Sequence, residues 1–337
     1  MDGTANDDSN DTSVNGHDQF LPPAIIGLSL MTLTATGLVF NGLASYVVVS
    51  GGMRGFLKRS SSPIYKPMLS LLASDSLKLS TYAFYLCPEI IAQRQLLPHP
   101  WHGAVSIIAL WMWDQSCVTL SVLAINRFVG VCFPFHAPMI FSHGRMMWLC
   151  LATWPASLLV CIVSQTALPC CRIGLEWQYY SPTFVNPRGD FNWVSVFVEW
   201  PYNIGSSTVF VVCYSSILWA VRRSNRHLRA SLKQQPQPQA DSQADVRQRQ
   251  ELRLTVQFLA ITLVHTGAWM LFRLIPALVG SDRRRRQLNA LVTLVIVVDM
   301  SVNSLVYLFW NREMRLRWRR KRGRTGNEVT ATTEGQV

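Results

Sequence analysis

Charge is what this sequence has least of. Only 15% of its 337 residues are Asp, Glu, Lys or Arg, while 49% are hydrophobic; soluble domains carry roughly 25% charged residues. The deficit is concentrated, since no charged residue occurs between Gln19 and Met53. That pattern excludes an ordinary cytosolic domain, so chain length does not count domains here. A metalloenzyme or other hydrolytic site finds no support, because the 7 histidines are scattered without HExxH or a similar ligand spacing. A cleavable leader is also missing. Residues 1–18 are polar and hold Asp2, Asp7, Asp8, Asp11 and Asp18 but no Lys or Arg, so the first apolar run is expected to start membrane insertion itself. No internal repeat is evident, which speaks against a transporter built from duplicated halves.

What the sequence does have is a series of long apolar runs. Seven of them, at about 24–50, 67–86, 103–125, 146–164, 191–221, 254–279 and 288–310, are each long enough to cross a bilayer as a tilted helix. Pro155 and Pro201 are tolerable inside bundled membrane helices, where neighbours satisfy the freed backbone groups. The expected fold is therefore an all-α membrane protein with a seven-helix domain over 24–310.

An odd number of spans puts the termini on opposite sides, and the Lys and Arg distribution chooses the side. With the N-terminus outside, the inner segments carry 22 of these residues and the outer ones 7. The segment 1–23 then reads as an extracellular acidic tail, and the one sequon, at Asn10, falls where glycosylation occurs. Arg283, Arg284, Arg285 and Arg286 lie on the outer side and break the rule; they read as a solvated, headgroup-facing loop. The net charge of +12 is mostly an inner-face feature and suits anionic inner-leaflet lipid, with no need for nucleic acid. Between the fifth and sixth runs, 232–245 is rich in Gln and Pro and reads as disordered. Residues 311–322 fit a basic amphipathic helix on the inner leaflet, followed by a disordered cytoplasmic tail at 323–337.

Ionisable side chains within membrane spans are expensive and so mark function. There are six: Asp75, Lys78, Asp114, Glu199, Arg273 and Asp299. Asp75 and Lys78 share a helix face. Asp299, Asn303 and Tyr307, each four apart, make one polar stripe that should face the second and third spans. Such a stripe can serve a wet, ion-filled cavity or act as packing glue, and the same charges could line the path of an ion-coupled transporter or channel.

These residues also carry a resemblance. Ser70-Leu71 with Asp75, Asn126-Arg127-Phe128 at the inner end of the third span, Trp154-Pro155, Glu251 and Trp269, and Asn303-Ser304-Leu305-Val306-Tyr307 followed by Asn311-Arg312-Glu313 resemble the rhodopsin-like G-protein-coupled receptors. Phe133-Pro134 and the run from Glu251 to Gln257 narrow the similarity to the nematode serpentine chemoreceptors of class x (Srx type). The resemblance implies no enzymatic activity, a plasma-membrane location that could extend to the sensory cilia of chemosensory neurons, coupling to a heterotrimeric G protein, and an extracellular small-molecule or peptide ligand.

Residue roles follow from the same resemblance. Asn126, Arg127 and Phe128 would meet the G protein, Glu251 would restrain Arg127 in the inactive state, and Asn303 and Tyr307 would complete the switch. Asp75, Ser116 and Asn303 fall where family members hold a sodium ion, with Asp299 beside them, and Lys78 could sit between the two aspartates in place of that ion. Ala109, Trp113, Glu199, Asn203, His265, Trp269 and Arg273 would bound the ligand pocket. Helical geometry agrees for the third span: at about 100° per residue, Leu120, Ser116, Trp113 and Ala109 point the same way as Arg127. Asp114 points elsewhere and reads as a hydrogen-bonded contact to a neighbouring helix.

Departures from the family pattern are informative. Asn126 replaces the usual acid before Arg127, which removes a restraint. His265, Ala268 and Leu271 replace the aromatic, Cys and Pro that surround Trp269 in relatives, leaving Pro276 as the bend of the sixth span. Ala109 replaces the Asp of amine receptors, and the seventh span has no Lys for retinal, so an aminergic receptor and an opsin are both excluded. His102 replaces the Cys at the outer end of the third span. Of 8 cysteines only Cys87, Cys170 and Cys171 face the oxidising side, and a bridge from Cys87 to one of the adjacent pair is expected.

Overall fold

The computed structural model describes residues 21–52, 65–185, 190–232, 240–278 and 282–310. Its helices follow the apolar runs: α1 (Pro23–Gly52), α2 (Tyr65–Thr81), α3 (His99–Cys132), α4 (His143–Thr166), α5 (Trp200–Leu232), α6 (Ala240–Leu278) and α7 (Asp282–Leu305). Together they form the seven-helix bundle expected from sequence. Six of these are long and apolar enough to span a membrane on their own composition. The seventh, α2, is more polar because it carries Lys66, Asp75 and Lys78, and it buries all three within the bundle. Their exposure to lipid would be far costlier than their burial among partners.

The helices run further than their apolar stretches. After Thr81, α2 passes through a wider π turn (Tyr82–Leu86) and continues as Cys87–Ala92. The helix α6 begins at Ala240, so the end of the stretch read as disordered is helical; Ala240, Gln243 and Ala244 there are good helix formers. It also continues through Pro276. The 311–322 helix, the 323–337 tail, the acidic N-terminus with Asn10, and the side chains of Glu251 and Arg283 to Arg285 lie outside the described residues.

One element was not foreseen. Between α4 and α5 the chain makes an antiparallel hairpin, β1 (Arg172–Glu176) with β2 (Ser181–Val185), in which Gly174 pairs with Thr183. It closes the outer end of the bundle and is tied down twice: the Leu175 N–H donates to Ser106 Oγ of α3 at 3.0 Å, and Thr293 Oγ1 of α7 donates to the Tyr180 carbonyl at 2.6 Å.

The cysteine expectation fails. Cys170 and Cys171 are bridged to each other, and Cys87 is a free thiol, fully buried where α2 packs on α1. Cys87 faces the helix interface, away from the loop that carries the other two. The tie between helix and hairpin is instead polar: His102 lies 3.4 Å from the Glu176 carboxylate and is also hydrogen-bonded to the Tyr85 hydroxyl.

Apolar packing falls into two clusters. The inner one gathers Leu71, Leu72, Leu123, Tyr214, Ile217, Phe258, Ile261 and Tyr307; the outer one gathers Leu79, Tyr82, Leu86, Ala109, Leu175, Ile296 and Val297. Along each helix the buried polar residues lie between the two: Asp75 between Leu72 and Leu79, Ser116 between Ala109 and Leu120, His265 between Ile261 and Ala268. Outside, Phe84, Trp148 and Val211 are largely exposed, as lipid-facing side chains should be. A separate polar knot, in which Gln115 meets Ser157 and Thr153 and Trp154 Nε1 donates to Ser70 Oγ at 3.0 Å, joins α2, α3 and α4 as packing glue.

Candidate functional site

The buried polar residues form a connected chain across the middle of the bundle. At its outer end Glu199, on the π turn (Ser195–Glu199) that precedes α5, takes three donors. Trp269 Nε1 donates to Oε1 at 2.7 Å, Arg273 Nη1 lies 3.1 Å from Oε2, and Ser195 Oγ donates to Oε2 at 3.3 Å. Trp269 and Arg273 are four apart on α6, so one carboxylate reaches both. The Arg273 guanidinium also stacks over Phe184 of the hairpin and Trp200. The Arg273 side chain is 27% exposed, and it is fixed by an ion pair instead of reaching free to the interface.

One turn further in, Asn203 connects α5 to α3. Its Nδ2 donates to the Glu199 carbonyl at 2.8 Å and its Oδ1 accepts from Trp113 Nε1 at 3.1 Å. The Trp113 ring stacks on His265, centroids 4.6 Å apart. His265 in turn bonds Asp299 through Nδ1 at 2.9 Å and meets Cys117 Sγ through Nε2 at 3.2 Å. His265 therefore serves the ionic core and not the pocket wall, and it supplies the Asp299 partner that the sequence left unassigned.

Below this, Asp75 accepts from Asn303 Nδ2 at 2.6 Å and from Ser116 Oγ at 3.2 Å, while Ser74 Oγ lies 3.0 Å from Ser116 Oγ. The three residues aligned with a sodium site are thus together. Lys78 lies within electrostatic range of both Asp75 and Asp299 but is in none of the ion pairs found among the described residues; its ammonium lies over the Trp113 ring, 4.0 Å from the centroid. Asp114 is buried as expected, yet its Oδ2 has no hydrogen-bond partner among the described residues, so the interhelical bond read from sequence is not formed by that atom.

At the inner end Arg127 stacks over Phe258 of α6 at 5.1 Å, and Phe258 packs on Tyr307. The hydroxyls of Tyr307 and Tyr214 are buried without hydrogen-bond partners among the described residues, and both lie within electrostatic range of Arg127. Asn126 is half-buried, and Phe128 packs edge-on against Phe133. The proposed Arg127–Glu251 pair falls outside the described residues.

Above Trp113 and beneath the hairpin lies a partly open cavity of about 60 Å³. Of the residues that the resemblance assigned to a ligand pocket, Ala109, Trp113, Glu199 and Trp269 line it, and Asn203, His265 and Arg273 do not. Lys78, Tyr82, Ser106, Phe272 and the hairpin residues Ile173, Leu175 and Pro182 also line it and were missed. The spacing of Lys78 and Tyr82, four apart on one helix, was the available signal. A second, more open recess of about 450 Å³ lies beside it, around His102, Gln165 and the Cys170–Cys171 pair. No group of three or more His, Cys, Asp or Glu able to hold a metal occurs among the described residues.

Comparison with known proteins places this geometry in context. Residues 31–311 match the family model described as serpentine-type 7TM GPCR chemoreceptor Srx. Human olfactory receptor 11A1 is 21% identical over 288 residues, covering 82% of this chain and 85% of that protein. Human olfactory receptor 6B1 is 28% identical over 132 residues, 37% of this chain and only 42% of that receptor, and rat growth hormone secretagogue receptor type 1 is 26% identical over 146 residues, 41% of this chain and 39% of that receptor. Among solved structures, squid rhodopsin superimposes with a TM-score of 0.71 at 16% identity, covering 89% of this chain and 81% of that one. At that identity the likeness concerns the fold.

Proposed function

This chain belongs to the Srx class of serpentine seven-helix G-protein-coupled chemoreceptors, a multi-pass plasma-membrane family, and from that premise we propose that it converts binding of an extracellular small molecule in the cavity under the hairpin into G-protein activation. The observation that carries this reading is the run of contacts from Arg273 and Glu199 through Trp269, Asn203, Trp113 and His265 to Asp299, with the bonded pair of Asp75 and Asn303 on the next turn and Tyr307 and Arg127 below it. A ligand against Trp113 and Trp269 presses on two side chains whose indole N–H groups are bonded to Asn203 of α5 and to Glu199 of the π turn before it. Displacing either strains the α3–α5 and α5–α6 ties, and because His265 stacks on Trp113, the α6–α7 pair with Asp299 feels the same movement. Packed interiors respond to such displacements by switching between discrete arrangements.

The inner end supplies the readout. Arg127 is stacked on Phe258 of α6, so outward movement of α6 would uncover its guanidinium to a G protein. The buried, unsatisfied hydroxyls of Tyr214 and Tyr307 mark the closed arrangement as one that leaves polar groups wanting, a condition that an opened, hydrated inner cleft would relieve. The excess of inner Lys and Arg supports contact with anionic inner-leaflet lipid. A sodium ion would find oxygens on Asp75, Ser116 and Ser74, and the buried Asn303 Oδ1, which has no donor among the described residues, faces the same cluster; bound there it would add a positive charge that holds α2, α3 and α7 closed. The transporter or channel alternative is disfavoured by the family match.

The test needs no ligand. Wild-type and Arg127→Ala receptors are expressed at matched surface density and ligand-free G-protein activation is measured. Because Asn126 stands where the family has an acid before Arg127, a basal signal is expected in the wild type and is expected to vanish in the variant. A basal signal that survives the substitution would remove Arg127 from the coupling step.

A further inference from the structure

The cavity beneath the hairpin contains two hydrogen-bond donors that the polar chain does not use. Lys78 and Tyr82 are four residues apart on α2 and its π turn, so they lie on one face, and both line the cavity. Tyr82 is fully buried and its hydroxyl has no hydrogen-bond partner among the described residues. Lys78 is 5% exposed, rests on the Trp113 ring, and is in none of the ion pairs found among the described residues. Buried donors without acceptors are unfavourable, and a buried ammonium especially so.

The neighbouring acids are engaged elsewhere. Glu199 holds Arg273 and Trp269, Asp299 holds His265, and Asp75 is held by Asn303 and Ser116. Asp299, Asp75 and Asp114 all lie within electrostatic range of Lys78, but none of them lines the cavity. The rest of the wall is mostly apolar, with Ala109, Leu110, Ile173, Leu175, Phe272 and Ile296; its other polar groups, the Glu199 carboxylate and the Ser106 hydroxyl, already have partners in Arg273 and Trp269 and in the Leu175 N–H. Two donors on one face of a mostly apolar chamber fit a ligand with two acceptor oxygens at one end and a hydrocarbon body.

Building on the receptor reading of this cavity, we propose that its ligand class is an apolar monocarboxylic acid whose carboxylate accepts from the Lys78 ammonium and the Tyr82 hydroxyl. Negative charge is specified by Lys78, and the second oxygen by Tyr82. The hydrocarbon body packs on Trp113 and under the hairpin, against the apolar side chains that line the chamber. The competing assignment makes Lys78 only an internal counter-charge for Asp75, Asp114 and Asp299, and it gives no reason for acids to be preferred.

The experiment compares short- and medium-chain straight monocarboxylates with their methyl esters. Binding is read as thermal stabilisation of the purified full-length receptor in lipid nanodiscs at neutral pH. Acids are expected to bind the wild type roughly tenfold to hundredfold more tightly than the matching esters, the range of a charge-assisted hydrogen bond. Lys78→Met should abolish that preference and Lys78→Arg should keep it. Tyr82→Phe removes a hydroxyl that has no hydrogen-bond partner among the described residues, so it should fold normally, weaken acids by roughly threefold to tenfold and leave esters unchanged. Equal binding of acids and esters, no stabilisation of the wild type by any acid, or an acid preference that survives Lys78→Met would each overturn the assignment. G-protein activation is recorded in parallel. Acids that bind without altering it would overturn the receptor reading alone, whereas basal activation with no acid binding would overturn the acid assignment alone.

Discussion

Glu199 illustrates how one residue can organise a site. It is 8% exposed and accepts from Trp269, Arg273 and Ser195, so removing one partner leaves a buried charge poorly compensated. Arg273→Met is expected to destabilise the receptor by about 1–3 kcal/mol, less than the loss for a wholly buried pair because Arg273 retains some exposure. Adding Glu199→Gln should recover part of that loss, since the amide carries no charge to strand and can still accept from Trp269. Thermal unfolding of the purified single and double variants measures this, and a double variant no more stable than the single would refute the pairing. At this scale the sequence was informative about which residues matter and silent about whom they meet. Asp299 and Lys78 were both marked by being ionisable within a span, yet Asp299 takes His265, and Lys78 turns to Trp113 and the cavity.

Among the elements, the hairpin between α4 and α5 has the most direct bearing on ligand exchange. It roofs the cavity with Ile173, Leu175 and Pro182 and is held by the Ser106 and Thr293 hydroxyls. Each bond of this kind contributes about 1 kcal/mol, so the Ser106→Ala/Thr293→Val double variant should let the roof open more often. Its ligand dissociation rate is expected to rise roughly tenfold with surface expression preserved. Rapid-dilution kinetics would decide, and an unchanged off-rate would mean that the roof does not gate the cavity. The hairpin escaped sequence reading because its strands are five residues each and border long helical runs. The seven spans did not escape it, even α2, whose polarity keeps it below a simple apolarity threshold but whose charges are buried in the bundle. The expected Cys87 bridge failed for an element-level reason: Cys87 lies on the side of α2 that packs on α1, a rotation that cysteine counting cannot supply.

For the molecule as a whole, the cavity and the inner switch act as two ends of one equilibrium. Coupling between such sites is typically about 1–3 kcal/mol and is reciprocal. Agonist affinity should therefore rise roughly fivefold to hundredfold when a G protein is bound, and Arg127→Ala should erase the difference. Competition binding with and without purified G protein gives the ratio, and identical affinities would show that the two ends are uncoupled. The sequence by itself determined the number of spans, their direction and the list of buried charges. The bilayer imposes those as one-dimensional constraints: a contiguous apolar run must cross, Lys and Arg stay on the inner side, and an ionisable group within a span must find shelter. Only the tertiary structure decided the pairings, because they depend on how each helix is rotated and how far it slides against its neighbours. Asp75 meets Asn303 across 228 residues of chain and His265 meets Asp299 across 34. Lys78 and Tyr82 became a site only when α3, α6 and the hairpin closed an apolar chamber around the face they share.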